Sequence, residues 1–139
     1  MRIARNFHWE MGHRLPFHTS GCANVHGHSY TLWVELEGDC DEHGMLMDYG
    51  DLKSAVMPVL DPLDHAFMVD EGDTLMLDFF ATTGMKIYRV PFHSTAENIA
   101  RHLLDLIAAQ LQGQPRLHRL RLRVQETGNS YAETEHVFA

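Results

Sequence analysis

The sequence predicts an α+β domain in which an antiparallel sheet packs against two helices, and three observations carry that prediction. Residues 2–13, 26–37 and 116–126 alternate apolar with polar side chains, the period of a half-buried strand. Ile99, Leu103, Leu106, Ile107 and Leu111 recur instead at helical spacing. A chain of 139 residues that is 45% hydrophobic and 22% charged has the size and composition to bury one core. No internal repeat, low-complexity tract or linker interrupts it, so residues 1–139 read as a single domain.

The first strand places Ile3, Phe7, Trp9 and Met11 on one face, and His13 follows on the same parity. Residues 14–25 hold proline, glycine, serine and asparagine and read as a loop carrying Cys22. A second strand runs from about His26 to Glu37, with Tyr30, Leu32, Val34 and Leu36 on one face; GDCDEHG then makes a turn. Asp48 is placed to cap a helix reaching about Leu60, with Asp51 as its acidic first-turn partner. LDPLDHAFM reads as loop and short turn, because Pro62 disfavours helical geometry just before it. GMKIYRV is the next strand, and Ser94 opens the clearest helix. Arg116 to Glu126 and Ser130 to Phe138 complete the order strand, strand, helix, strand, helix, strand, strand.

The charge balance argues against a nucleic-acid partner: 11 lysines and arginines stand against 19 acids, for a net charge of -8. The basic run from His118 to Arg123 alternates with leucines and fits a half-solvated strand. The start MRIARNFHWE lacks the apolar run of a signal peptide, and no stretch of about 18 apolar residues occurs. The expectation is therefore a cytoplasmic protein with no membrane partner. In that reducing setting Cys22 is a free thiol.

Histidine is the unusual residue, with 11 in the chain. His26 and His28 are two apart, so on a strand their imidazoles leave one face about 6 to 7 Å apart. Gly27 between them leaves room for another element to approach closely. An antiparallel neighbour would bring His13 beside the pair. Three histidines leave one position open for water or substrate, the pattern of a catalytic zinc site. Cys22 keeps a second arrangement open, a closed structural site of Cys22, His26, His28 and one further ligand. Asp64 beside His65 can orient that imidazole and raise its basicity, or be a turn aspartate next to a surface histidine. Ser94 through Glu97 matches a capping box, giving Glu97 a structural role at the helix entry. Glu126, at the end of an apolar strand, either faces solvent or receives a ligand's donors. Asp48, Asp51 and Glu133 read as caps and solvated charges.

Six segments, in this order and at these separations, carry a resemblance over nearly the whole chain. They are MGHRL around His13, CANVHGHSY from Cys22, GMLMDYGDLK from Gly44, LDHAF from Leu63, STAENIA from Ser94 and VQETGNSY from Val124. Together they resemble the 6-pyruvoyl-tetrahydropterin and 6-carboxy-tetrahydropterin synthase family. The resemblance implies the tunnelling fold, a four-stranded antiparallel sheet with two helices on one face. It also implies a homo-oligomer, commonly a hexamer made of two trimers, with active sites between subunits. It implies that His13, His26 and His28 hold Zn²⁺, that Cys22 is the catalytic thiol, and that Asp64 and His65 form a second acid–base element. Glu97 and Glu126 align with carboxylates that hold the pterin ring. The implied reaction is conversion of 7,8-dihydroneopterin triphosphate to 6-carboxy-5,6,7,8-tetrahydropterin, acetaldehyde and triphosphate, in queuosine and deazapurine biosynthesis. The 6-pyruvoyl branch, which eliminates triphosphate and keeps the two-carbon fragment, is the alternative enzyme. A zinc-stabilised structural module, with Cys22 within about 2.3 Å of the metal, is the alternative of another class. The chain departs from the family at the helix entry, where Ser94-Thr95 stands for the usual proline-threonine.

Overall fold

The computed structural model describes residues 1–139. Two long strands form its backbone: β1 (Arg2–His13) and β2 (His26–Gly38) pair antiparallel along their length, from Arg2 opposite Glu37 to His13 opposite His26. The alternation seen in the sequence sets which face is buried. Phe7, Trp9, Met11 and His13 from β1, with Tyr30, Leu32, Val34 and Leu36 from β2, all turn inward. β5 (Leu117–Gln125) adds antiparallel to the free edge of β2, and β6 (Ala132–Val137) to the edge of β5.

Helices α1 (Tyr49–Leu60) and α3 (Ala96–Leu111) cover the inward face and close the main core. Leu52 and Val56 from α1, and Ile99, Leu103, Ile107 and Leu111 from α3, are buried there. Asp48 is the N-cap of α1 as the sequence predicts, its Oδ1 accepting from the Gly50 and Asp51 amides.

The sheet is larger than four strands and is not purely antiparallel. It has six, in the order β4-β3-β1-β2-β5-β6. β3 (Ala66–Asp70) runs parallel to β1, and β4 (Ile87–Val90) parallel to β3. β3 occupies part of the segment read from sequence as loop and turn. The reason is that all five of its residues are buried, so it has no polar alternation to detect.

There are also three helices, and they do not share one face. Met68 of β3 joins the main core, whereas Phe67 and Val69 point the other way and pack with Met76 and Phe80. Those two belong to the short helix α2 (Thr74–Phe80), which thus covers the opposite face of the sheet at β3. Gly12 makes room for this layer: a Cβ there would meet Phe67 Cδ2 at 3.1 Å and His26 O at 3.4 Å.

Phe67 is 9% exposed. Phe67→Ala should therefore destabilise the fold by roughly 3 kcal/mol or more in urea unfolding, with an unchanged denaturant slope. A loss below about 1 kcal/mol would contradict burial of β3 from both sides.

Candidate metal centre and active site

The β1–β2 register builds the centre. His13 ends β1 directly opposite His26, and His28 lies opposite Met11, one inward-facing position along β2. The three rings gather with centroids 4.6, 5.2 and 5.0 Å apart, and one nitrogen from each lies within 4.8 Å of the others. Gly27 permits the close approach, since a Cβ there would meet Met11 O at 3.1 Å.

The far side of each outer ring is held by backbone. His13 Nδ1–H donates to Ser94 O at 2.8 Å, and His26 Nδ1–H donates to Asn24 O at 2.7 Å. A proton committed at Nδ1 leaves the Nε2 lone pair free, the tautomer a metal ligand needs. His13 Nε2 and His28 Nε2 are buried and have no hydrogen-bond partner. Burial pushes His13 down to about 4, with His26 and His28 adding repulsion, and burial also lowers His28. Two orphaned nitrogens converging with a third imidazole fit a divalent metal ion, and a donor set of three imidazoles suits zinc among others. The Cys22 sulfur is not in that cluster, and both cysteines are free thiols.

Cys22 sits half-buried on a 3-10 turn, Gly21–Ala23, within the loop between β1 and β2. Glu126 follows the last residue of β5 and does reach the centre. Its Oε1 lies 3.8 Å from His13 Nε2 and its Oε2 lies 3.8 Å from His28 Nε2. Tyr30, read from sequence only as core, donates its hydroxyl to Glu126 Oε1 at 3.3 Å and stacks on Trp9. Burial pushes the Glu126 carboxyl up; the Tyr30 bond opposes that shift, and the field of Glu97 adds to it.

The capping expectation for Ser94 and Glu97 is corrected. Thr95 is the N-cap of α3, its Oγ1 accepting from the Asn98 amide at 3.2 Å, which puts Glu97 one position short of a capping box. Ser94 is buried and faces the metal centre instead: its Oγ lies 3.1 Å from His13 Nδ1 and donates to Arg14 O at 3.4 Å. The STAEN string suits either cap, and only the position of His13 decides between them.

Asp64 and His65 form a pair, with His65 Nδ1 3.0 Å from Asp64 Oδ1. The Glu10 amide donates to Asp64 Oδ1 at 2.9 Å, and that bond holds the Asp64 carboxyl below its ordinary range. His65 adopts the left-handed conformation at φ 59° and is 76% exposed. It flanks a cleft lined by Glu10, Met11, Gly12, Gly27, His28 and Ser29 of β1 and β2. The histidine triad lies on inward positions of the same strands, and His65 is not among the nitrogens gathered there.

A sequence profile of the 6-pyruvoyl tetrahydropterin synthase family matches residues 2–137. The chain belongs to that family. On that membership it is an enzyme, a lyase of the pterin synthase class. It is 37% identical over 140 residues to the 6-carboxy-5,6,7,8-tetrahydropterin synthase of Haemophilus influenzae, covering 95% of this chain and 96% of the relative. The enzyme of the same name from Rickettsia bellii is 30% identical over 136 residues, covering 96% and 99%. Among solved structures, the 6-pyruvoyl tetrahydropterin synthase of Plasmodium falciparum superposes with a TM-score of 0.78 over 99% of this chain and 98% of its own. Its sequence identity is 16%, so that likeness speaks to fold alone.

Thr95→Ala should cost about 1 kcal/mol of unfolding free energy while metal content per chain is unchanged. Ser94→Ala should instead weaken metal retention against a chelator roughly tenfold, because it disturbs the group facing His13. The reverse pattern would restore the Ser94 cap.

Proposed function

We propose that this enzyme uses zinc to convert 7,8-dihydroneopterin triphosphate and water to 6-carboxy-5,6,7,8-tetrahydropterin, acetaldehyde and triphosphate. The observation that carries the proposal is the triad itself: three imidazoles with nitrogens converging beside a carboxylate, two of those nitrogens buried and without a partner. The names of the Haemophilus and Rickettsia relatives support the carboxy branch.

Zinc held by His13, His26 and His28 would supply Lewis-acid polarisation of the substrate side-chain oxygens. The chain's own groups do the rest. Glu126 and Glu97 offer carboxylate oxygens to the adjacent N–H donors of a 2-amino-4-oxo pterin, and Tyr30 fixes the direction Glu126 faces. Cys22, acting as thiolate, removes a proton from the substrate side chain. His65, held by Asp64, gives or takes the second proton. A proton on either side of the substrate can then be moved with no redox cofactor.

That His65 stands apart from the gathered triad nitrogens supports assembly into a homo-oligomer in which one copy supplies the triad and another the pair. The family's hexamer of two trimers is the arrangement we adopt. No helix is long and apolar enough to cross a membrane, and the net charge of -8 gives nucleic acid little to hold.

Incubating the purified protein with dihydroneopterin triphosphate should release acetaldehyde in step with triphosphate. Triphosphate without acetaldehyde would assign the 6-pyruvoyl branch, whose name the family profile bears. His26→Ala should lose zinc and turnover together, whereas Cys22→Ala should keep zinc and lose turnover. Proportional zinc loss in Cys22→Ala would favour the closed structural site. Mixing inactive Cys22→Ala and His65→Ala subunits under exchange conditions should restore turnover, because some shared sites then hold both intact groups. No recovery would refute shared sites.

A further inference from the structure

We propose that Arg14 is a positioning residue that sets where the Cys22 thiol stands relative to the histidine triad. Cys22 lies in a connection rich in small and turn-forming residues, on a turn only three residues long. Such a segment does not fix a side chain by itself. Three bonds tie the stretch from Cys22 to Asn24 to residues outside positions 16–25. Leu15 N donates to Cys22 O at 2.7 Å, His26 Nδ1 donates to Asn24 O at 2.7 Å, and Arg14 Nη1 donates to Ala23 O at 3.2 Å. Of the side chains outside residues 16–25 that bond the loop, Arg14 is the one that is not a candidate metal ligand.

The guanidinium is itself held rigidly. Its other edge makes a fork with Asp73, Nε to Oδ2 at 2.6 Å and Nη2 to Oδ1 at 2.7 Å. Asp73 is 4% exposed and caps α2, accepting from the Met76 amide. With one edge of the fork spent on a buried carboxylate, Nη1 places one of the three remaining N–H groups on the loop. Lysine, a point charge, cannot reproduce both contacts. Arg14 also directly follows His13 in the chain, and its carbonyl accepts from Ser94 Oγ. A short series of stiff groups thus runs from the metal ligand through Arg14 to the residue next to the thiol.

This inference rests on the reading of Cys22 as the acid–base group, and the zinc and alkylation readouts of its test do not need the substrate. In a Cys40→Ser background, Arg14→Met, Arg14→Lys and Asp73→Asn would be loaded with zinc. Zinc per chain, the pH profile of Cys22 alkylation by iodoacetamide, and kcat and KM would then be measured. The expected result is full zinc occupancy and a displaced alkylation profile in all three variants. In Arg14→Met kcat should fall roughly ten- to hundredfold, with KM within about twofold. Arg14→Lys should recover only part of that loss. An unchanged alkylation profile in the folded variants, or zinc loss parallel to kcat loss, would overturn the assignment. If Arg14→Met does not fold, Asp73→Asn keeps the arginine and decides by the same readouts. Absence of pterin product from the unsubstituted protein would defeat the proposed reaction, while the thiol profile would still decide the role of Arg14.

Discussion

The antiparallel register of β1 on β2 is the constraint on which the rest of the site depends. A slip of one residue would carry His26 and His28 to the outer face together with every leucine of that strand. The core and the metal centre are therefore specified by the same alternation: Tyr30, Leu32, Val34 and Leu36 need the interior, and the two histidines share their parity. Burial then acts on the imidazoles directly. It lowers His13 and His28, which favours the uncharged form in two of the three rings that stand in contact.

Polar support is spread around that centre in a way that separates duties. Backbone carbonyls of Ser94 and Asn24 take the Nδ1 protons, so the ligand tautomers are fixed by groups that cannot titrate. Tyr30 and burial shape the neighbouring carboxylate of Glu126. The loop with Cys22 is tied to the same strands without entering the nitrogen cluster. The fold thus keeps the sulfur out of the imidazole cluster.

Much of this was legible in the sequence because it is local. The His-x-His spacing, the position of His13 at the end of a periodic strand, and the Asp48 cap all rest on residues within one element or its immediate neighbour. β3 was not legible, because a strand covered on both faces has no alternation, and α2 is too short to show a helical stripe. The Ser94 and Thr95 roles were exchanged for a related reason: both side chains can cap, and what draws Ser94 away is His13, far off in sequence. Arg14 had a visible signal in its adjacency to His13, whereas Asp73, its partner across the fold, had none. The placement of Asp64–His65 depends on where β3 docks against β1, and no spacing within the chain encodes that.

The central claim is that three imidazoles and no thiolate bind the metal. Zinc K-edge X-ray absorption on the loaded protein tests it most directly. A first shell of nitrogen and oxygen only, with imidazole scattering at about 2.0–2.1 Å, is the predicted result. A sulfur contribution near about 2.3 Å would contradict it and make Cys22 a ligand.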